Sequence, residues 1–540
     1  MLPTFAPFEN RNFRYLWGAT LVSNLGGLIQ AVAAGWVMTT ITDSPGMVAL
    51  VQGATTFPIM LFSLASGALA DNFDRRGVML AAQITMMVTS AALALTVYIG
   101  SITPWLLLAF TFLIGCGTAL HNPSWQASMG DIVKRDDIPA AVILNSMGFN
   151  LMRSIGPAIG GLIVAVAGAA IAFAINAFSY LPLIYFLGRW RPNYPARNLP
   201  RENFLSAISV GLRYVSMSPN LLIVLFRAFL FGLSAVAVLA LLPIVASDIL
   251  AAGALTYGGL LGAFGAGAII GAFANAQIRA RLGNETIVRI ACLVFALSIG
   301  ALGVSRNVVL SHLLLLPAGA CWVLSLSLFN VTVQLSTPRW VAGRALSIYQ
   351  TATFGGMAIG SWLWGAVADG QGPSVALIGA AAGLMLCSAV GLLFAVPAFS
   401  SLDLDPLNKF KEPALKLDLK ARSGPIMVMV DYVVDQDDVP DFLAAMARRR
   451  RIRIRDGARQ WALLRDLEHP EQWTESYHVP TWVEYVRHNQ RRTRADAEVT
   501  EILRKLHKGP ESPRVHRMIE RQTVSPRDDD IPLKHYPEIH

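Results

Sequence analysis

The sequence predicts an all-α polytopic membrane protein of twelve transmembrane helices in two six-helix halves, followed by a small water-facing α+β domain. Three observations carry that prediction. Residues 1–400 hold only eleven carboxylates and nineteen Lys or Arg, whereas the last 140 residues hold 25 basic and 24 acidic side chains. A charge at the bilayer centre costs roughly 2.5–3.5 kcal/mol on insertion scales, so long charge-free stretches suit lipid. The basic residues of the first 400 also fall almost wholly on one set of loops.

A spanning helix needs about 20 apolar residues. Runs of this kind cover residues 16–42, 47–70, 77–99, 104–127, 139–167 and 169–188, then 220–250, 255–280, 286–304, 308–335, 341–368 and 374–396. None shows the period-2 alternation of a barrel strand. The first run is too long for a signal-peptide core and lacks a small-residue cleavage site, so it reads as a retained span. Cys116, Cys292, Cys321 and Cys387 all fall inside these runs without paired spacing. That pattern implies no disulfide framework, metal site or cofactor.

Placing the N-terminus inside puts sixteen basic residues on inner loops, among them Arg11, Arg14, Lys134, Arg189 and Arg344, against Arg306 alone outside. This positive-inside bias predicts a multi-pass protein of the cell membrane, the inner one where there are two, with both termini cytoplasmic. The net charge of +9 is thus a topology signal and not evidence for nucleic acid.

The chain divides into an N-terminal half (1–190), a cytoplasmic linker (191–219), a C-terminal half (220–400), a second linker (401–424), a soluble domain (425–520) and a disordered tail (521–540). Within the first linker, Phe204, Leu205, Ile208, Leu212 and Val215 have helical spacing. They predict an amphipathic helix over 202–217 lying on the inner membrane face. Six spans, a basic linker and six more spans is the hydropathy symmetry of a two-repeat transporter. In the soluble domain, strands are expected at 426–434, 460–465, 472–478 and 514–519. Helices are expected at 439–451, 481–493 and 496–507. That β-α-β-β-α-β order fits a ferredoxin-like domain.

Two motifs lie in the first half. After span two the chain reads Gly67-Ala68-Leu69-Ala70-Asp71-Asn72-Phe73-Asp74-Arg75-Arg76. A glycine permits close helix approach, an aspartate suits a helix N-terminus, and two arginines suit surface carboxylates. The loop resembles the signature between helices two and three of the major facilitator superfamily. The resemblance implies a conformational lock of Gly67, Asp71, Arg75 and Arg76 that holds the outward-facing state. The equivalent loop of the second half, 275–283, has Arg279 and Arg281 but no acid. In span five, Gly156-Pro157-Ala158-Ile159-Gly160-Gly161 follows Arg153. Pro157 frees a carbonyl and kinks the helix; Gly156, Gly160 and Gly161 allow tight packing. It is similar to part of the helix-five motif of facilitator exporters, though Ile143 and Met152 replace two of that pattern's glycines. A kinked packing helix without directional meaning is the alternative.

Pro123-Ser124-Trp125-Gln126-Ala127, Asn145 and Arg153 together resemble the enterobactin-exporter-like branch, the transmembrane secretion effectors. Arg453, Arg455-Asp456-Gly457-Ala458, Trp461, Trp482, Glu484, Arg487 and His488 resemble the soluble domain fused to many members, which is similar in fold to antibiotic-biosynthesis monooxygenases. The resemblance implies the major facilitator fold.

Polar side chains inside spans are candidates for a substrate cavity: Asn24, Gln30, Arg153, Arg227, Asn330 and Gln350, with His121, Asn176, Asn275 and Gln334 beside them. Arg153 would alternatively satisfy carbonyls at the Pro157 kink, and Arg227 would snorkel to the inner surface. No Asp or Glu lies well inside a span; Asp43, Asp248, Glu285 and Asp369 sit at ends. Proton coupling therefore has no embedded carboxylate relay. Embedded cations without embedded anions favour an anionic or strongly polar substrate, such as a siderophore.

In the tail, His478, His488, Trp473 and Trp482 are candidates for lining a pocket, without metal-ligand spacing, a phosphate loop or a nucleophile constellation. A regulatory or dimerising role fits better than catalysis. The expected function is secondary active export of a small metabolite, siderophore or drug, not an enzyme activity. Import or lipid transport by the same fold stays open, as does a membrane-anchored monooxygenase-like enzyme or sensor.

Overall fold

The computed structural model describes residues 3–72, 74–134, 137–192, 204–398, 407, 410, 412, 413, 415–417, 419, 420 and 422–520. These form two compact units.

The first unit holds residues 1–195, 220–334 and 346–399. Its first half comprises α1 (Arg11–Ile41), α2 (Pro45–Asn72), α3 (Arg75–Ile99), α4 (Pro104–Ile132) and α5 (Ile138–Ala167), with span six as α6 (Ala169–Ser179) and α7 (Leu181–Arg189). The break in span six falls at Tyr180, just before Pro182, which has no backbone N–H for the ladder. Helix starts follow capping chemistry. The Asn10 side chain accepts from the Asn12 and Phe13 amides at 2.9 and 3.3 Å. Asp74 does the same for α3, and Thr103 with Pro104 opens α4.

The second half comprises α9 (Pro219–Ile244, continued by a π turn, Val245–Ile249), α10 (Ala254–Arg281), α11 (Asn284–Val304), α12 (Val308–Leu335), most of α13 (Arg339–Gln371) and α14 (Pro373–Val390). Eleven helices of the described residues are long and apolar enough to cross a membrane, with α6 and α7 counted as one. The eleventh predicted span, 341–368, is also helical, inside the 33-residue α13. Val88, Leu95, Val166, Phe178, Phe273 and Leu297 lie exposed on the bundle, the apolar surface that lipid would cover.

The second unit holds residues 196–219, 335–345 and 400–540. Its core is the predicted β-α-β-β-α-β domain: β1 (Ile426–Val433), α15 (Val439–Arg455), β2 (Arg459–Arg465), β3 (Gln472–Val479), α16 (Trp482–Gln490), α17 (Arg494–Leu506) and β4 (Arg514–Ile519). The antiparallel sheet has the order β2-β3-β1-β4, with Val428 opposite Tyr477 and Val430 opposite Val515. This is the ferredoxin-like order. Val430, Tyr432, Phe442, Met446, Trp473 and Leu503 fill the space between sheet and helices.

The linker helix is α8 (Phe204–Ser216). The expected amphipathic helix over 202–217 is this element, and it carries contacts with the soluble domain. Tyr214 is buried, with the Arg455 guanidinium 5.4 Å from its ring and the Trp340 ring 5.7 Å away, edge-on. One face of α8 is therefore covered by protein. Arg491 lies 4.7 Å over the Trp340 ring, so the domain also holds the first turn of α13. The predicted tail 521–540 lies outside the described residues.

Candidate transport site

Two helix pairs bring the six-helix halves into close contact, beside smaller contacts such as that of Trp36 with Tyr257. The first is α5 with α10. A Cβ at Gly161 would stand 2.8 Å from Gly258 Cα, and one at Gly258 would stand 2.7 Å from the Pro157 carbonyl oxygen. Only glycine on both helices allows backbones this close. The contact runs inward through Ala158 and Gly262 to Ser154 and Gly265. Gly156 and Gly160, on the same helix, lie against Leu28 and Ile29 of α1 instead. The four motif residues of α5 thus seat it on α1 and α10 together.

The second pair is α2 with α13. The Asp369 carboxylate accepts from the Ser44 hydroxyl at 3.0 Å and the Gly46 amide at 2.9 Å, capping α2 from the other half. Below it, Gly53 faces Ser361, and the Ser63 and Thr351 hydroxyls bond at 2.7 Å. The Gly161–Gly258 contact and the Ser44–Asp369 tie lie at the end of the bundle where α1 finishes and α2 starts, whereas Ser63–Thr351 lies about five turns further along α2. The sequence reading placed Asp369 only at a span end. Its partner lies 325 residues away, which no local pattern encodes.

Arg153 sits beside the α5–α10 contact, its carbonyl facing Gly265. Its guanidinium lies 5.9 Å over the ring of Trp322 in α12, so it reaches from one half to the other. Trp322 belongs to an aromatic cluster with Phe231, Phe264 and Phe295, at ring distances of 6.1, 5.8 and 6.3 Å. No carboxylate pairs with Arg153 among the described residues. Trp322 was not singled out from the sequence, because one tryptophan inside an apolar run carries no signal.

The other candidates are distributed. Gln30 accepts from Ser90 at 2.8 Å and from Asn176, which also bonds Tyr180 at 3.1 Å. This knot holds α1, α3 and α6 together inside one half. Arg227 is fully buried, donating to the Cys387 carbonyl and to Glu285 at 3.1 Å. Glu285 in turn accepts from the Val396 amide at 2.7 Å, so Arg227 ties α9, α11 and the end of α14. Asn24, Asn330 and Gln350 are half-buried, and Asn330 accepts from Gln334. His121 is buried in α4.

At the predicted lock, Arg75 pairs with Asp131 at 2.9 Å, and Arg76 donates to the Leu187 and Gly188 carbonyls, each at 2.7 Å. A cation there suits the negative end of α7. The side chains of Gly67 and Asp71 lie outside the described residues. In the tail, the cavity is lined by neither His478, His488, Trp473 nor Trp482. His488 is instead buried between Arg453, at 3.0 Å, and the Asp456 carbonyl.

The family of transmembrane secretion effectors matches residues 2–524. The chain belongs to that family. It is similar to the enterobactin exporter EntS of Shigella boydii serotype 18, at 26% identity over 71% of this chain and 92% of that protein. It is similar to the staphyloferrin A transporter of Staphylococcus aureus at 29% identity, over 31% of this chain and 42% of that transporter's length. Among solved structures, a bacterial homolog of the lysosomal transporter Spinster covers 72% of this chain with a TM-score of 0.59 at 12% identity, and 97% of its own length is matched. The nucleoside transporter NupG covers 71%, with 0.58 at 11% identity and 99% of its own length. These structures establish the major facilitator fold. The chain is a multi-pass secondary transporter of a small molecule, in a family of transporters and not of enzymes.

Proposed function

We propose that this protein exports a small anionic or strongly polar metabolite of the siderophore kind from the cytoplasm. Arg153 carries the substrate class. Its guanidinium does not lose its proton, and a half-buried cation within a membrane span needs an acceptor. The Trp322 face supplies roughly 0.5–2 kcal/mol of attraction but accepts no hydrogen bond of full strength. An anion between the halves would supply the rest. The names of the siderophore-handling relatives support the same class.

Transport proceeds by alternating access, the two halves rocking about a midplane site. The basic inner loops support cytoplasmic termini in the cell membrane, the inner membrane where the cell has two. With that orientation the Ser44–Asp369 tie and the Gly161–Gly258 contact face outward. The loop of Gly67, Asp71, Arg75 and Arg76 locks the opposite, outward-facing state. The unpaired outer edges of β2 and β4 offer a place for dimerisation through the C-terminal domain.

The test is a metabolite comparison, inside and outside, of cells with and without the gene. Anionic chelators retained inside the deletion strain are expected. Accumulation of only neutral or cationic species, or loss of uptake, would redirect the assignment.

A further inference from the structure

The ferredoxin-like domain has a half-open cavity of about 580 Å³ at one side of the space between its sheet and its helices. That is ample for a small organic molecule. Strand alternation turns Val428, Val430 and Tyr432 of β1 toward the helices, and Tyr477 of β3 joins them. Arg449 and Arg453, four apart on α15, present one face to the same space. Arg492 enters from the turn before α17, with Arg504 at the exposed rim.

The charges in this cavity do not balance. Glu475 is fully buried and serves two arginines, Arg453 at 3.0 Å and Arg449 at 3.5 Å. Arg449 and Arg492 both donate to one hydroxyl, that of Thr500, at 2.9 and 3.2 Å. Three guanidinium groups thus share one carboxylate and two neutral partners, the Thr500 hydroxyl and, 3.0 Å from Arg453, the His488 ring, among the described residues. Burial, with Arg453 and Arg449 beside it, pushes Arg492 down to about 10. The walls are aromatic: Arg453 lies 4.3 Å over the Tyr477 ring, and Phe410 meets Tyr485 edge-on.

We infer that this cavity is a binding site for a small aromatic carboxylate, separate from the transport site between the halves. Guanidinium forks match a carboxylate in two hydrogen bonds, and tyrosine faces take a flat ring. Water would satisfy the donors of a purely structural arginine cluster, but it would leave the excess positive charge uncompensated.

The test is titration of benzoate, inorganic sulfate and benzylamine into the full-length protein in detergent, followed calorimetrically. Benzoate is expected to bind, sulfate to bind more weakly and benzylamine not at all. Arg492→Gln should weaken benzoate at least about tenfold, the loss of one charged hydrogen bond. Arg504→Gln, exposed and without risk to folding, should cost about threefold. Arg153→Gln should leave benzoate unchanged, which separates this site from the transport site. Absence of benzoate binding, sulfate binding as tightly as benzoate, or indifference to both tail variants would each overturn the inference.

Discussion

The Arg153 guanidinium lies 5.9 Å over the Trp322 ring, a contact between α5 of one half and α12 of the other. A residue that only braced the Pro157 kink would turn back on its own helix. Arg153 instead reaches across the junction beside the Ser154–Gly265 contact. Arg153→Lys keeps the charge but loses the planar fork, so partial flux is expected. Arg153→Gln should lose most flux of anionic substrates and little of neutral ones, measured in the same vesicles. Equal loss of both would mark the residue as structural.

Asp369 caps α2 from the far half through Ser44 and Gly46. A side-chain cap with its charge contributes about 1 kcal/mol, which is roughly a fivefold bias toward the closed end. Asp369→Ala should therefore raise the reaction of Gly262→Cys with an impermeant thiol reagent several-fold. Unchanged reactivity would mean that this tie does not hold the end shut.

Ala158 and Gly262 face each other across the same closure, and a Cβ at Gly262 would stand 3.5 Å from that of Ala158. Disulfides need Cβ atoms about 3.5–4.5 Å apart. The pair Ala158→Cys with Gly262→Cys should cross-link on mild oxidation, abolish transport and recover it with reductant. Flux that survives full cross-linking would show that these helices never part during the cycle.

Much of this architecture was legible because lipid and water impose simple rules. Charge exclusion marked the spans. Period-2 and period-3.6 patterns placed every strand and helix of the tail within a few residues, so that the expected strand 472–478 is β3 over Gln472–Val479. The break of span six at Tyr180 was missed, although Pro182 was its signal. What stayed hidden is pairing across distance. Arg227 and Glu285 lie 58 residues apart; alone, Arg227 reads as a cavity candidate inside a span and Glu285 as a residue at a span end. The tail cavity was sought among His and Trp, the residues of familiar chemistry, whereas helical spacing of Arg449 and Arg453 built it. Only tertiary packing brings those arginines to Tyr477.

Orientation has its own measurement. Ser101→Cys, Asp248→Cys and Gln371→Cys should label from outside intact cells, and Asn198→Cys and Lys420→Cys only after permeabilisation. The native Cys292, Cys321 and Cys387 are buried and give little background. Labelling at position 420 in intact cells would invert the topology and, with it, the direction of the closed end.

The stability of the tail domain should depend on acid through Glu475. Burial raises this carboxyl, but Arg453, Arg449 and the Trp461 N–H, at 3.1 Å, outweigh it and hold it down at about 2. A depressed carboxyl stabilises the folded state above its unfolded value, near 4.5, and loses that contribution as pH falls toward 2. The shift corresponds to about 3 kcal/mol at neutral pH. Asp456, buried and pushed up to about 6, acts in the opposite sense: its protonation stabilises the domain as pH falls from 6 toward 4. The two are separated by Glu475→Gln, which leaves Asp456 in place. Pulse proteolysis of the full-length protein in urea, read on the β1–β3 segment, should find this variant weaker by about 3 kcal/mol at pH 7. The gap should narrow below pH 4.5 and nearly close by pH 2, where about half of the wild-type carboxyl is itself protonated. A gap that stayed constant with pH would mean that Glu475 contributes shape and not charge.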